Sequence, residues 1–324
     1  MKEIFLNGIN GFRIGHSQDI EAATGCTVVL CPEGATAGVD VRGGAPGTRE
    51  TDLLNPINLV DQVHGVILAG GSAYGLDAAG GVMQYLEERG YGFDVQVAKV
   101  PIVSSAVLFD VPVGNPSRRP DAAMGYQACV NAKNSSLKIG SVGAGTGATI
   151  GKLKGYGRAM KGGIGFSVLQ TGDLRVHALI AVNALGDVLD PATGKLVAGL
   201  RTSDGKALAG TEETMMADGT DKKISFSGNT SLGVVMTNAR IDKAQATKVA
   251  SMAHDGLARV VRPCHTMMDG DTIFALGSGA VKADVSLIGI MAAKTIEVAV
   301  LNAVTNAEGL AGIPGIKELE NRLL

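Results

Sequence analysis

Thr230 follows Asn229 where a polar stretch, 225–230, gives way to an apolar run, 232–236. A threonine hydroxyl is a weak nucleophile near neutral pH unless a base lies beside it. A free α-amino group, with a reference pKa of about 7.7–8.0, is such a base when threonine begins a chain. Thr230 acquires that amine only if the chain is cut after Asn229. Attack of its own hydroxyl on the Asn229 carbonyl would give an ester that water opens. An Asn-Thr pair is also a common turn, and the pair alone does not choose between the two.

Other stretches carry reactive groups. CHTMMDGD, residues 264–271, gathers Cys264, His265, Asp269 and Asp271. Zinc-site spacing is missing, and adjacent Cys264 and His265 would face opposite sides of a strand, which argues against a metal. Asp269 and Asp271 at i and i+2 would share one face if extended, and two carboxylates there repel unless a cation sits between them. Gly270 would let a second segment approach closely. The alternative is an acidic turn in solvent.

GSVGAGTGATIGKLKG, residues 140–155, resembles a phosphate loop only at first sight. Thr146 stands at the first glycine of a Walker pattern and Leu153 at its hydroxyl position, and Ala148 replaces the third glycine of a dinucleotide pattern. A close-packed glycine turn accounts for the glycines and leaves Lys152 unexplained. The five histidines show no paired metal spacing, and His64 and His177 lie inside apolar strand patterns. The segment 71–75, GSAYG, misses the nucleophile elbow by one residue.

These residues need a scaffold, and hydrophobic patterning describes one. Strands are expected over 26–31, from 36 into a glycine-proline loop ending at 54, over 63–71 and over 100–114. Helices are expected over 72–90 and 120–132, and residues 162–191 read as a hairpin turning at Thr171-Gly172-Asp173. Residues 192–228 lose apolar periodicity and read as a mobile connector. A strand at 231–238, a helix near 241–261, a strand at 271–276 and a long helix near 283–308 complete an α/β chain. No Pro-rich or Gly/Ser linker divides it, so one domain over 1–324 is expected.

Composition excludes several classes of function. The formal charge is −2, Trp is absent and aromatics are 4 %, so neither a basic surplus nor stacking platforms favour nucleic acid. The 46 glycines in 324 residues are roughly twice the average usage of about 7 % without a period, which indicates tight turns and close backbone approach. Four scattered cysteines form no disulfide framework, and the start lacks a signal-peptide apolar core, as no uninterrupted apolar run of membrane length occurs. A cytoplasmic protein away from membranes is expected.

Seven segments, in order along the chain, together resemble one family: VRGGAPGTRETDLL, HGVILAGGSAYGLDAAGGV, VPIVSSAVLFD, GSVGAGTGATIGK, VHALIAVNALGDV, GNTSLGVVMTN and HTMMDGDTIFAL. They are similar to the N-terminal-nucleophile hydrolases of the DmpA type, which include L-aminopeptidase/D-esterases, β-peptidyl aminopeptidases and nylon-oligomer hydrolase. The resemblance implies an αββα sandwich, as in ornithine acetyltransferase, and autocleavage between Asn229 and Thr230 into residues 1–229 and 230–324.

It further implies that Thr230 is the nucleophile and that Asn183 donates its side-chain amide to the oxyanion. Lys152 would lower the proton affinity of the Thr230 amine, and Asp269 and Asp271 would bind the Lys152 and Thr230 amines. Threonine in place of serine, and Asp-x-Asp in place of Ser-x-Glu, lean toward the nylon-hydrolase branch. Phe109 stands in the substrate pocket where that branch carries a tyrosine, so one hydroxyl is missing. A small peptide or amide substrate, no cofactor, no metal and a homo-oligomer are implied. The rivals are an acyltransferase of the ornithine acetyltransferase type and an unprocessed small-molecule-binding chain.

Overall fold

Apolar side chains alternate along the strands with a period of two, and both sides of the alternation are buried. That pattern requires layers on both faces of each sheet. In the computed structural model, residues 2–6, 10–219 and 228–320 are described. The strands that matter are β1 (Arg13–Asp19), β2 (Thr24–Val41), β3 (Thr48–Arg49), β4 (Gln62–Ala69), β5 (Val103–Val107), β6 (Gly163–Thr171), β7 (Leu174–Val182), β8 (Leu232–Ala239) and β9 (Thr272–Val281). The helices are α1 (Ala78–Glu87), α2 (Ala122–Val130), α3 (Thr211–Asp218), α4 (Lys243–Val260) and α5 (Val285–Thr305).

The strands hydrogen-bond in the order β6-β7-β8-β9-β2-β4-β5-β3, with β1 on β2. β2 joins two halves: its residues 36–41 pair with β9, while its earlier residues pair with β1 and β4. Val176, Ala178 and Ile180 of β7 face Val249, Leu257, Ile296 and Val300 of α4 and α5. Leu179 and Ala181 of the same strand face the middle, with Val29, Val66, Leu68 and Phe274. Cys26, Val28 and Ile67 face Ala78, Val82 and Cys129 of α1 and α2. Helices, strands, strands and helices thus form an αββα sandwich, with three apolar layers where each fully buried Val, Leu, Ile or Phe contributes about 1.5–3 kcal/mol.

The glycines serve this stacking. An added Cβ at Gly81 would lie 1.8 Å from Ala122 O, and one at Gly125 2.0 Å from Ala78 O, so α1 and α2 touch backbone to backbone. Helix α5 has the length and hydropathy to cross a bilayer, although its apolar run is interrupted by Lys294 and Glu297. Here 67 % of its apolar window is buried inside the fold, as a core helix.

Five expectations change. The hairpin expected over 162–191 ends at Val182, and Asp187–Leu189 pairs in a separate sheet. The strand expected over 100–114 narrows to β5, Val103–Val107. The strands expected at 26–31 and from 36 are one strand, β2, whose pairing with β4 slips between Leu30 and Ala35. The helix expected from 72 opens as a 3-10 helix, Ser72–Asp77, before α1. The connector expected over 192–228 is built structure as far as residue 219: Leu196–Ala198 is a strand and α3 a helix. Buried Asp187 clamps it, accepting from Leu200 N at 2.6 Å, Thr211 Oγ1 at 2.7 Å and Thr211 N. Residues 220–227, including the polar stretch at 225–227, lie outside the described residues.

Candidate active site

Residues 183, 230 and 269–271 meet because of strand adjacency. β7 runs antiparallel to β8, so Ala181 near its end pairs with Leu232, and β8 runs parallel to β9, so Leu232 pairs with Thr272. Asn183 just past β7, Thr230 just before β8, and Asp269 and Asp271 just before β9 therefore lie at one end of three neighbouring strands. Lys152 joins them from the glycine segment, where Lys152 N donates to Leu185 O at 3.2 Å. All are buried: Lys152 is 1 % exposed, Asn183 0 %, Asn229 1 % and Thr230 4 %.

The junction is held on both sides. Thr230 N donates to Asn183 O at 2.9 Å, and Asn229 N donates to Met268 O at 3.1 Å. The Asn229 carbonyl accepts from Gly270 N at 2.8 Å and from the Thr230 hydroxyl. The nucleophile candidate thus lies against the carbonyl of the bond it would attack, while a backbone N–H polarises that carbonyl. Gly270 allows the approach: a Cβ there would stand 2.6 Å from both Thr230 Oγ1 and Ala45 O. The close approach expected at Gly270 is made by Thr230 and by the loop at 45–46.

Lys152 Nζ donates to Asn183 Oδ1 at 2.9 Å, Asn183 O at 3.0 Å and Gly228 O at 3.3 Å. Three acceptors match the three protons of an ammonium. Burial nonetheless pushes the Lys152 amine down from 10.5 to about 7, opposed by the charges of Asp269 and Asp110. Because Asn183 Oδ1 also accepts from Thr149 N at 3.0 Å, Asn183 Nδ2 is the donor left over, and it reaches Phe109 O at 3.2 Å. That pattern, rather than the shape of the amide, assigns which end is nitrogen.

The two acids are near enough that Asp271's charge, added to burial, raises Asp269. In the intact chain their partners are not the amines. Asp269 accepts from Thr266 N at 2.9 Å, and Asp271 from Ser231 N at 2.7 Å. His265 N and Nδ1 lie 3.0 and 2.8 Å from Asp271 Oδ2. His265 adopts a left-handed φ of 58° to do this, and its ring packs edge-on to His254 at 4.8 Å. Phe109 lines a cavity of about 110 Å³ beside Thr230, and a Cβ on Gly228 would stand 2.3 Å from its ring.

Among the described residues, no three His, Cys, Asp or Glu side chains gather as a metal-holding group. Gly143–Gly145 form a buried 3-10 turn, in which Ala144 N donates to Thr27 Oγ1 at 3.0 Å. Sequence reasoning missed the Gly270 N–H and Met268 carbonyl, because backbone groups have no residue signature. His265 as the partner of Asp271 was visible only as a histidine six residues upstream.

With this geometry in hand, comparison with known proteins is specific. The signature of peptidase family S58 matches residues 6–317. An uncharacterized aminopeptidase of Mycobacterium tuberculosis is 42 % identical over 97 % of this chain and 97 % of its own length. A 6-aminohexanoate-oligomer endohydrolase of Agromyces sp. is 32 % identical over 85 % of this chain and 75 % of its own length. Among solved structures, the L-aminopeptidase D-Ala-esterase/amidase of Ochrobactrum anthropi, a variant of the Ntn hydrolase fold, superposes with TM-score 0.72 at 18 % identity, covering 99 % of this chain and 95 % of its own. A β-aminopeptidase of Burkholderia sp. gives TM-score 0.70 at 18 % identity over 98 % and 93 %. At that identity the structural likeness concerns the fold alone.

Proposed function

We propose, for a chain that belongs to peptidase family S58, that it cuts itself between Asn229 and Thr230 and then hydrolyses a small peptide or amide through an ester on Thr230. The chain is an aminopeptidase-like hydrolase; the nucleophile and the cut are what we add. The observation that carries the proposal is the Thr230 hydroxyl lying against an Asn229 carbonyl that Gly270 N–H already polarises.

In self-cleavage the Thr230 oxygen bonds to the Asn229 carbonyl carbon, the C–N bond breaks, and the nitrogen takes up the proton that the hydroxyl loses. Water then opens the ester, leaving an Asn229 carboxylate and a free Thr230 amine. In hydrolysis that amine takes the hydroxyl proton as general base, and the substrate's leaving amine later receives a proton. Gly270 N–H holds the oxyanion, and Asn183 Nδ2, which donates to Phe109 O in the uncut chain, turns to it as second donor; such donors each contribute about 2.7–4 kcal/mol in comparable sites. Lys152, as an ammonium, keeps the Thr230 amine in its free-base form by like-charge repulsion. Asp271 fixes the Ser231 amide and so the start of β8, and once the chain is cut the acids are placed to receive the new amine.

Intact mass and a denaturing gel test this directly. Two chains summing to the precursor plus one water are expected, and Thr230→Ala should remain one chain without hydrolytic activity. A wild-type chain that stays single on prolonged incubation sinks the mechanism, as does undiminished activity of Thr230→Ala.

A further inference from the structure

Asp271 Oδ1 accepts from Ser231 N at 2.7 Å, the amide next to Thr230 in the chain. The other oxygen of this acid is held by a single residue. Asp271 Oδ2 accepts from His265 N at 3.0 Å and lies 2.8 Å from His265 Nδ1. Backbone and ring reach the same oxygen because His265 has a φ of 58°. That left-handed region disfavours most side chains and admits Asn, Asp and His more readily.

The imidazole has no other polar task. His265 Nε2 is buried and, among the described residues, meets no hydrogen-bond partner. A carboxylate oxygen accepts, so the ring proton belongs on Nδ1 and the lone pair on Nε2. Behind the ring stands His254 of α4, edge-on at 4.8 Å. His254 Nε2 donates to Asp40 O at 3.0 Å, and burial pushes the His254 ring down to about 4, so it backs His265 as a neutral group.

On the reading that Thr230 is the nucleophile, we propose that His265 is a positioning residue for cutting and turnover: its Nδ1–H fixes the Asp271 carboxylate, which fixes the Ser231 amide and so the place of Thr230. His265 touches neither the Asn229-Thr230 bond nor the substrate. Without the ring proton only two backbone N–H groups orient Asp271, and the carboxylate is free to turn about its own bond. Thr230 then loses its alignment, and a misplacement of about 1 Å at a reacting atom costs on the order of 10²-fold in rate.

Three variants separate the donor from the fold. His265→Asn keeps the left-handed backbone and carries a side-chain N–H toward Asp271. His265→Gly keeps the backbone alone, and His265→Phe keeps the bulk of the ring without a donor. Self-cleavage is followed by mass, and kcat and KM of the processed fraction are measured on a p-nitroanilide that the wild type hydrolyses. His265→Asn should stay within about threefold of wild type, whereas the Gly and Phe variants should cut more slowly and lose kcat by about tenfold or more, with KM little changed. A folded Gly or Phe variant that cuts and turns over at the wild-type rate overturns the assignment, as does a folded Asn variant as slow as His265→Gly. One measurement does not depend on whether these variants fold: in uncut Thr230→Ala, nitrogen NMR shifts should show His265 protonated at Nδ1, and a proton on Nε2 instead overturns it. A wild-type chain that never cuts sinks the Thr230 reading itself, an outcome separate from any result on a His265 variant.

Discussion

Lys152 and Lys161 are both buried, and burial pushes each amine from 10.5 to about 7. Their partners differ. Lys161 Nζ donates to Thr146 O at 2.6 Å and Ala148 O at 2.8 Å, two carbonyls of the turn leading into its own short hairpin. Lys152 Nζ instead ties Asn183 to Gly228, segments far apart in sequence that flank the Asn229-Thr230 bond. Their electrostatic surroundings differ too: Lys161 feels the single carboxylate Asp110, whereas Asp269, Asp110 and Asp271 all act on Lys152. Burial and a displaced pKa are shared by a lysine that organises a turn and a lysine at the reactive junction, so neither property marks chemistry. What separates them is whether the acceptors belong to a local loop or to the groups around a scissile bond.

The largest effect should come from removing the side-chain acceptor peculiar to Lys152. Asn183→Ala takes away that oxygen and an oxyanion donor together, and kcat is expected to fall about 10²–10³-fold. Steady-state kinetics on whatever fraction is processed will show it, and a fall under tenfold would leave Asn183 a scaffold residue. Lys152→Met should slow self-cleavage on the order of 10²-fold by releasing the Gly228 and Asn183 carbonyls from their positions, followed by mass against time. Lys161→Met should leave cutting within about threefold while costing roughly 1–3 kcal/mol of stability, since two buried carbonyls lose their donor, a change visible in the urea midpoint. If Lys161→Met folds well but fails to cut, the contrast between the two lysines collapses.

The smallest effect concerns pH. Below about 7 Lys152 carries its charge, and that charge disfavours protonation of a nearby Thr230 amine. Removing it lets the amine hold its proton to higher pH. The rising limb of kcat/KM in processed Lys152→Met should therefore move upward by on the order of one pH unit. A limb that does not move assigns Lys152 to positioning alone.

Much of the scaffold was legible. The apolar run over 63–71 became β4, and the hairpin expected over 162–191 became the β6–β7 pair as far as Val182, whose tight turn closes at Thr171 opposite Leu174. The break expected after Cys31 is absent because the strand absorbs Pro32, Glu33 and Gly34 as an irregularity in its pairing. Of the 192–228 stretch read as mobile, residues 192–219 are ordered around Asp187, whose bonds to Leu200 and Thr211 composition cannot report. Lys152 shows the same limit: its glycine context left it unexplained, and the segments at the β7 and β8 termini supply its acceptors.

Residue types are intrinsic to a sequence, so the amino acids alone determined which chemistries were on offer: a hydroxyl after an asparagine, an amide, an amine and two carboxylates, in an order shared with one family. Position is relational. The antiparallel β7–β8 and parallel β8–β9 pairings brought residues 183, 230 and 269–271 to one end of the sheet, and the register set Gly270 N–H on the Asn229 carbonyl and Met268 O on its amide. Every residue owns such backbone groups, so no sequence signal distinguishes the two that hold the junction, and only tertiary packing selected them.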